Sequence, residues 1–365
     1  MSNNRLLLLT PDFPPNKGGV ARYLSKLASY FSSRILVITS VKNASQTIPF
    51  PVLEQQLLNP FFWPKWIETV KLLFSLRQSY DIALTSHVLP FGTVAFFSFL
   101  FTKKPYVVFV HGMDVRLACS NFIKKHIAKI VFKHARVVVA NSRSLAQEVS
   151  DKFGASLPLV VYPCLEKRTE EIPPALLTVF DSSSTIRYLT VSRLVERKGH
   201  IQVLMALAEL KQSKSIPNFQ YDIVGDGPMM QSLKDLAGQL HLDEVVFHGA
   251  VDDAELEKFY MNADIFLMPV LDDQIDKEGF GFVFIEAASY EVPSISTQIS
   301  GVDEAIIDNQ TGILVKPNDH ADLCRAIALL SNTIEMRLRF GKQAREYVEQ
   351  NFTCAQQFAK LEPYL

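Results

Sequence analysis

Short, mainly apolar runs of three to six residues recur along the chain, separated by segments in which apolar positions return every three or four residues. The runs predict strands at residues 5–10, 35–39, 82–85, 106–110, 137–140 and 159–162 in the first half. In the second half they predict strands at 186–191, 220–224, 245–247, 265–268, 293–296 and 312–315. The periodic segments predict helices between most of them, clearest at 20–31, from Gly199, from Pro228, at 252–262 and at 281–290. Strands that are apolar on both faces and alternate with helices imply mainly parallel sheets covered on both sides. In such sheets ligands bind beyond the carboxyl ends of the strands.

The alternation is interrupted once, at residues 166–184, where Glu, Pro and Ser predominate. We read this as a linker between a domain at 1–165 and a second at 185–350, with a C-terminal stretch at 351–365. A length of 365 residues fits two cores better than one. Two doubly wound domains joined in this way are expected to face a cleft able to hold a two-part substrate.

Composition narrows the class. Hydrophobic residues make up 48% and charged residues 21%, which argues against global disorder. The uncharged stretch at residues 87–102 contains His87, Pro90 and Gly92 and is short for a membrane span. The apolar start, Leu6 to Leu9, reads as a strand and not a signal peptide. Cys119, Cys164, Cys324 and Cys354 show no metal-like spacing, so the expectation is neither a zinc site nor a disulfide framework, and a cytoplasmic setting.

The net charge of −1 hides a division: residues 1–165 hold 19 basic and 7 acidic residues, the remainder 18 and 31. A basic first lobe suits an anionic partner, and the whole chain gives no reason to expect nucleic acid. Two segments of that lobe suit either an anionic bilayer surface or ordinary packing: the aromatic and basic run Phe61 to Trp66, and residues 124–134, where Lys125, Lys129 and Lys133 share a helix face.

Candidate chemistry falls at predicted strand ends. Pro11 to Gly19 joins a strand to a helix through Gly18 and Gly19, either as a phosphate-facing turn or as a plain connection. Ser86-His87 and His111-Gly112-Met113-Asp114 end two further strands; a histidine there can hydrogen-bond a hydroxyl or support developing charge. Asn141 to Ser144 reads as a helix cap. Arg193 and Lys198 lie in one strand-end loop and can both reach a diphosphate. Val224-Gly225-Asp226-Gly227-Pro228 is a tight turn suited to a place beside a nucleotide base.

The densest element is Glu278-Gly279-Phe280-Gly281-Phe282-Val283-Phe284-Ile285-Glu286. If a helix begins near Gly279, the two carboxylates lie at most about 12 Å apart, one at the helix mouth and one two turns inside. Free N–H groups between them suit a phosphate, and the carboxylates suit hydroxyls. Asp272, Asp273 and Asp276 precede it and read as a solvated loop, so no metal site is expected.

Taken in order, Lys17-Gly18-Gly19, His111-Gly112, Ser192 to Gly199, Val224 to Pro228, Glu278 to Glu286 and Gly301-Val302-Asp303-Glu304 followed by Asp308 to Val315 resemble retaining glycosyltransferases of family 4. The resemblance spans nearly the whole chain and implies the GT-B fold, with two Rossmann-like domains. It implies catalysis by His111, Arg193, Lys198 and Glu278. It also implies donor contacts from Gly18, Gly19, Arg193, Lys198, Gly225, Gly279, Phe280, Gly281 and Glu286. Gly19, Arg193 and Lys198 would meet the diphosphate, Glu278 the donor sugar, Glu286 the ribose, and His111 the transition state.

By the same resemblance the chemistry needs no cofactor and no metal, and retains anomeric configuration by front-face departure and attack. The donor is a nucleotide diphosphate sugar, and the acceptor a cell-surface glycan or lipid-linked precursor met at the inner face of the cell membrane. The final residues, about 353–365, would cross back to the first domain. One departure is Ser300-Gly301, where the family often shows a glycine pair. A sugar-nucleotide epimerase of the same fold and a non-catalytic sugar-nucleotide-binding protein are the alternative functions.

Overall fold

The structure, a computed structural model, describes residues 3–16, 18–44, 48, 50–61, 63–167, 185–272 and 278–365. The expected linker lies, from residue 168 to 184, outside the described residues, as do Lys17, Phe62, Asp273 and Asp276. The chain divides into two compact units, Met1–Glu166 with Thr353–Leu365, and Lys167–Phe352.

The first unit is built on seven parallel strands: β1 (Leu6–Thr10), β2 (Ile35–Thr39), β3 (Val52–Glu54), β4 (Ile82–Thr85), β5 (Tyr106–Val110), β6 (Val137–Ala140) and β7 (Leu159–Val160). Their order is β3-β2-β1-β4-β5-β6-β7. Every residue of β1, β4 and β5 is buried, which is why these strands read as continuous apolar runs. Helix α1 (Gly19–Tyr30) turns Tyr23, Leu24, Leu27 and Ala28 onto one face of the sheet. On the other face pack α2 (Ile67–Ser75), α3 (Thr93–Thr102), α5 (Phe122–His134) and α6 (Arg143–Phe153), while α4 (Met113–Ala118) follows β5. Ser142 caps α6 by accepting from the Leu145 N–H, so the cap falls within the expected stretch, and Gly154 ends that helix in the left-handed region.

The second unit holds six parallel strands: β8 (Ile186–Val191), β9 (Phe219–Val224), β10 (Val245–Gly249), β11 (Ile265–Met268), β12 (Ser294–Thr297) and β13 (Gly312–Val315). Their order is β10-β9-β8-β11-β12-β13. Its helices are α7 (His200–Gln212), α8 (Met230–Gln239), α9 (Asp253–Asn262), α10 (Phe282–Ser289), α11 (His320–Asn332) and α12 (Ile334–Asn351). In both sheets the winding direction reverses at the first strand, between β1 and β4 and between β8 and β11. A reversal leaves a crevice at the carboxyl ends of the two strands, because their outgoing loops part to opposite sides.

After α12 the chain rejoins the first unit with α13 (Cys354–Ala359). Cys354, Phe358, Leu361 and Leu365 are buried in the same cluster as α1, and Gln357 accepts from the Tyr162 N–H at 2.9 Å. Cys354 forms a disulfide with Cys164, 190 residues earlier, a bridge that the expectation of no disulfide framework did not foresee. Sequence spacing did not reveal the pair because the bridge closes only where the last helix returns to β7. Among the described residues no helix is long and apolar enough to cross a membrane.

Candidate functional site

In the first unit the crevice is lined by the ends of β1, β4 and β5. Thr10 Oγ1 receives the Asp12 N–H and the Ser86 hydroxyl, at 3.0 and 2.9 Å. Ser86 Oγ also lies 2.8 Å from His87 Nδ1, and His87 Nε2 is 3.4 Å from Asp12. His111 sits beside them, its ring edge-on to Tyr23 and His87 at 5.8 and 5.9 Å between centroids. Its backbone is fixed by Asp114, whose carboxylate accepts the N–H groups of His111, Gly112 and Val88 at 2.9, 3.1 and 3.2 Å.

Burial, with His87 adding to it, pushes the His111 imidazole down to about 3, so the ring is neutral near pH 7. Among the described residues its Nε2 has no hydrogen-bond partner. A neutral, positioned imidazole with one free nitrogen can exchange a hydrogen bond with a hydroxyl. The sequence reading singled out His111 and Ser86-His87 but missed Asp12, which only the turn after β1 brings near His87. At the mouth of α1, Gly18 and Gly19 have open space where a Cβ would stand, and no side chain caps the helix.

In the second unit the loop after β8 closes with a single 3-10 turn, Glu196–Lys198, that sets Arg197 and Lys198 side by side. Arg197 Nη1 and Lys198 Nζ both lie 2.6 Å from Glu278 Oε2. Burial alone would push the Glu278 carboxyl up, but Lys198 and Arg197 outweigh it and hold it down to about 2. Two cations therefore share one ionised carboxylate at the β8/β11 crevice, beside the first turns of α7 and α10, which no side chain caps among the described residues. Arg197 escaped the sequence reading, since a loop cation 81 positions from its partner looks like any solvated charge.

Several expected positions differ from the sequence reading. Helix α10 starts at Phe282, because Gly281 takes a left-handed φ of 78° and ends the preceding turn. Glu278 is therefore outside the helix and Glu286 is its fifth residue, about one turn in, not two. Glu286 accepts from the Tyr260 hydroxyl at 3.1 Å. Phe280 was expected against the donor, yet its side chain is 2% exposed and packs on Phe352, so only its backbone is open to such a role. The Gly225 N–H already donates to the Gly249 carbonyl at 2.7 Å. Its missing side chain is needed for packing, since a Cβ there would stand 1.9 Å from the Ser192 carbonyl oxygen. Arg193 is exposed and forms no ion pair among the described residues.

Residues 182–347 match the family model described as glycosyl transferases group 1, and residues 17–165 match the one described as glycosyltransferase family 4. The chain belongs to this glycosyltransferase family. A GDP-mannose-dependent alpha-(1-6)-phosphatidylinositol monomannoside mannosyltransferase of Mycolicibacterium smegmatis is 25% identical over 383 residues, covering 98% of this chain and 97% of that protein. Among solved structures, a glycosyltransferase from Rickettsia africae superposes with a TM-score of 0.79 at 20% identity, covering 100% and 98% of the two chains. HepE of Anabaena, solved with UDP and glucose, gives 0.77 at 19% identity, covering 99% and 98%. The fold is GT-B, two parallel α/β domains.

This glycosyltransferase departs from a paired glycine at Ser300-Gly301, and the packing shows which of the two positions is constrained. Gly301 has φ of 96°, and a Cβ there would lie 2.9 Å from the Gly279 carbonyl oxygen and 3.1 Å from that of Glu278. Both features exclude a side chain, and the atoms in the way are backbone. Gly301→Ala should therefore shift the Glu278 segment and lower turnover at least tenfold, with smaller loss from Ser300→Ala; initial rates of the two variants compare them.

Proposed function

We propose that this glycosyltransferase transfers a hexose from a nucleoside diphosphate sugar to a lipid-linked or glycan acceptor, with retention of anomeric configuration. The observation that carries the reading is the Arg197 and Lys198 pair held by Glu278 at the mouth of two helices. A departing nucleoside diphosphate develops negative charge, and preorganised cations stabilise it without a metal ion. Lys198 and Arg193 serve the diphosphate, Glu278 orients the cations and the sugar, and Glu286 with Tyr260 serves the ribose. His111, neutral and with a free nitrogen, hydrogen-bonds the sugar near the reacting bond.

The mannosyltransferase relative acts on a phosphatidylinositol mannoside with GDP-mannose, and HepE was solved with UDP and glucose. Both support a hexose on a nucleoside diphosphate. A lipid-borne acceptor also agrees with the surface of the first unit, where Phe122 and Ile123 are 82% and 70% exposed at the start of α5, followed by Lys124, Lys125, Lys129 and Lys133. Exposed apolar side chains next to cations favour an anionic bilayer.

The test is a panel of GDP- and UDP-hexoses with phosphatidylinositol-type and polyprenyl-phosphate acceptors in anionic vesicles. One donor is expected to raise the melting temperature, and nucleoside diphosphate to be released with acceptor present and no added magnesium or manganese. The product anomer, read by NMR, should match the donor. An inverted product would remove the retaining assignment, and conversion of the donor without acceptor would point to an epimerase. Replacing Phe122 and Ile123 by serine should lower vesicle binding; unchanged binding and turnover on vesicles would remove the membrane contact.

A further inference from the structure

Away from the β8/β11 crevice, three side chains with metal-binding chemistry converge on two neighbouring helices of the second unit. Glu209 lies on α7; His320 and Cys324, four residues apart and hence on one face, lie on α11. Glu209 Oε2 is 2.9 Å from His320 Nε2, and Cys324 Sγ is 3.5 Å from the same nitrogen. One donor atom from each residue lies within 4.8 Å of the other two.

We propose that Glu209, His320 and Cys324 bind one zinc ion that ties α7 to α11. With bonds of zinc to nitrogen near 2.0 Å and to sulfur near 2.3 Å, a tetrahedral site places its sulfur and nitrogen ligands about 3.6 Å apart, and its nitrogen and oxygen ligands about 3.3 Å apart. The observed sulfur to nitrogen spacing already matches; the carboxylate must withdraw from the nitrogen by a few tenths of an ångström and swing towards the sulfur, which lies within 4.8 Å of it. A thiolate, an imidazole and a single carboxylate suit a borderline cation and disfavour magnesium or calcium, which prefer oxygen sets.

The nearby carboxylates are otherwise engaged: Asp319 caps α11, and Asp322 accepts from the Lys316 N–H and from Arg325. A cavity of about 170 Å³ adjoins His320 and is also lined by Gln202, whose buried Oε1 has no partner among the described residues. It has room for water as the fourth ligand and an acceptor for that water's proton. On binding, the thiol proton leaves to solvent and the imidazole offers the Nε2 lone pair. Glu209 lies nine residues along α7 from His200, so the ion would brace the helix that follows Lys198.

The experiment uses the full chain stripped with a chelator, then titrated with zinc or with cobalt(II). One ion per chain is expected, with a rise in melting temperature and, for cobalt, a thiolate charge-transfer absorption in the near ultraviolet. Cys324→Ser should lose stoichiometric binding, absorption and thermal shift together, whereas Cys119→Ser should keep all three. If Cys324→Ser fails to fold by circular dichroism, His320→Ala, at an exposed position, should show the same losses. Absence of one-to-one binding in the parent chain, or a cobalt absorption that survives Cys324→Ser, would overturn the site and leave a surface His320–Glu209 pair beside a buried thiol.

Discussion

Lys198→Met is expected to lower turnover by about a thousandfold while leaving the fold intact, the magnitude seen when one preorganised electrostatic group is removed from a transition state. Its ammonium is 2.6 Å from Glu278 and its side chain only 10% exposed, so it acts in a low-dielectric setting where one charge counts for much more than in water. Methionine keeps the length of the stem and its packing. Arg197 remains on the same carboxylate oxygen, so Glu278 is not left as an unpaired buried charge and the melting temperature should fall only slightly. The loss should appear in kcat more than in KM, because the charge on the diphosphate grows as the bond breaks. Arg193→Met, at an exposed position, should cost less. A Lys198→Met enzyme with normal kcat would remove the cation cluster from the mechanism.

The second large effect is on Glu278→Gln, and it has a stability component that Lys198→Met lacks. Removing the carboxylate charge takes away the anion that both cations share, their side chains being 19% and 10% exposed. Breaking a buried ion pair from one side costs about 3 kcal/mol, so the denaturant midpoint should drop clearly. The pH dependence follows from the direction of the shift. A carboxyl lowered from 4.5 to about 2 contributes stability that is fully present above pH 4.5 and is lost as the pH falls towards 2. In Glu278→Gln that part of the acid slope should vanish, which denaturation curves between pH 7 and pH 3 would reveal. Turnover should fall as well, while free nucleoside diphosphate binds at least as tightly, since positive charge is gained. Parallel loss of turnover and of nucleoside diphosphate affinity would mean that Glu278 acts only as scaffold.

The fold was legible where burial is two-sided. Strand β5 is apolar throughout and β1 up to Thr10 because both faces are covered, and β3 was overlooked, with no residue of Val52–Glu54 fully buried. The family motifs located the crevice loops but not their internal contacts. The start of α10 depends on Gly281, on Gly301 behind Gly279, and on Phe352 behind Phe280, partners that no local pattern reveals. Arg197 and Lys198 differ in sequence context by one position, and only the turn between β8 and α7 shows that both reach Glu278. The Cys164–Cys354 bridge was invisible for the same reason, since it joins segments whose nearness is a property of the completed topology.

The return of the last residues to the first unit has a consequence for biosynthesis. The outer face of α1 is covered by Cys354, Phe358, Leu361 and Leu365, which leave the ribosome only after all of residues 167–352. The unit made first is thus the one finished last, and a nascent chain carries an uncovered apolar stripe while the second unit folds, a natural contact for a holdase chaperone.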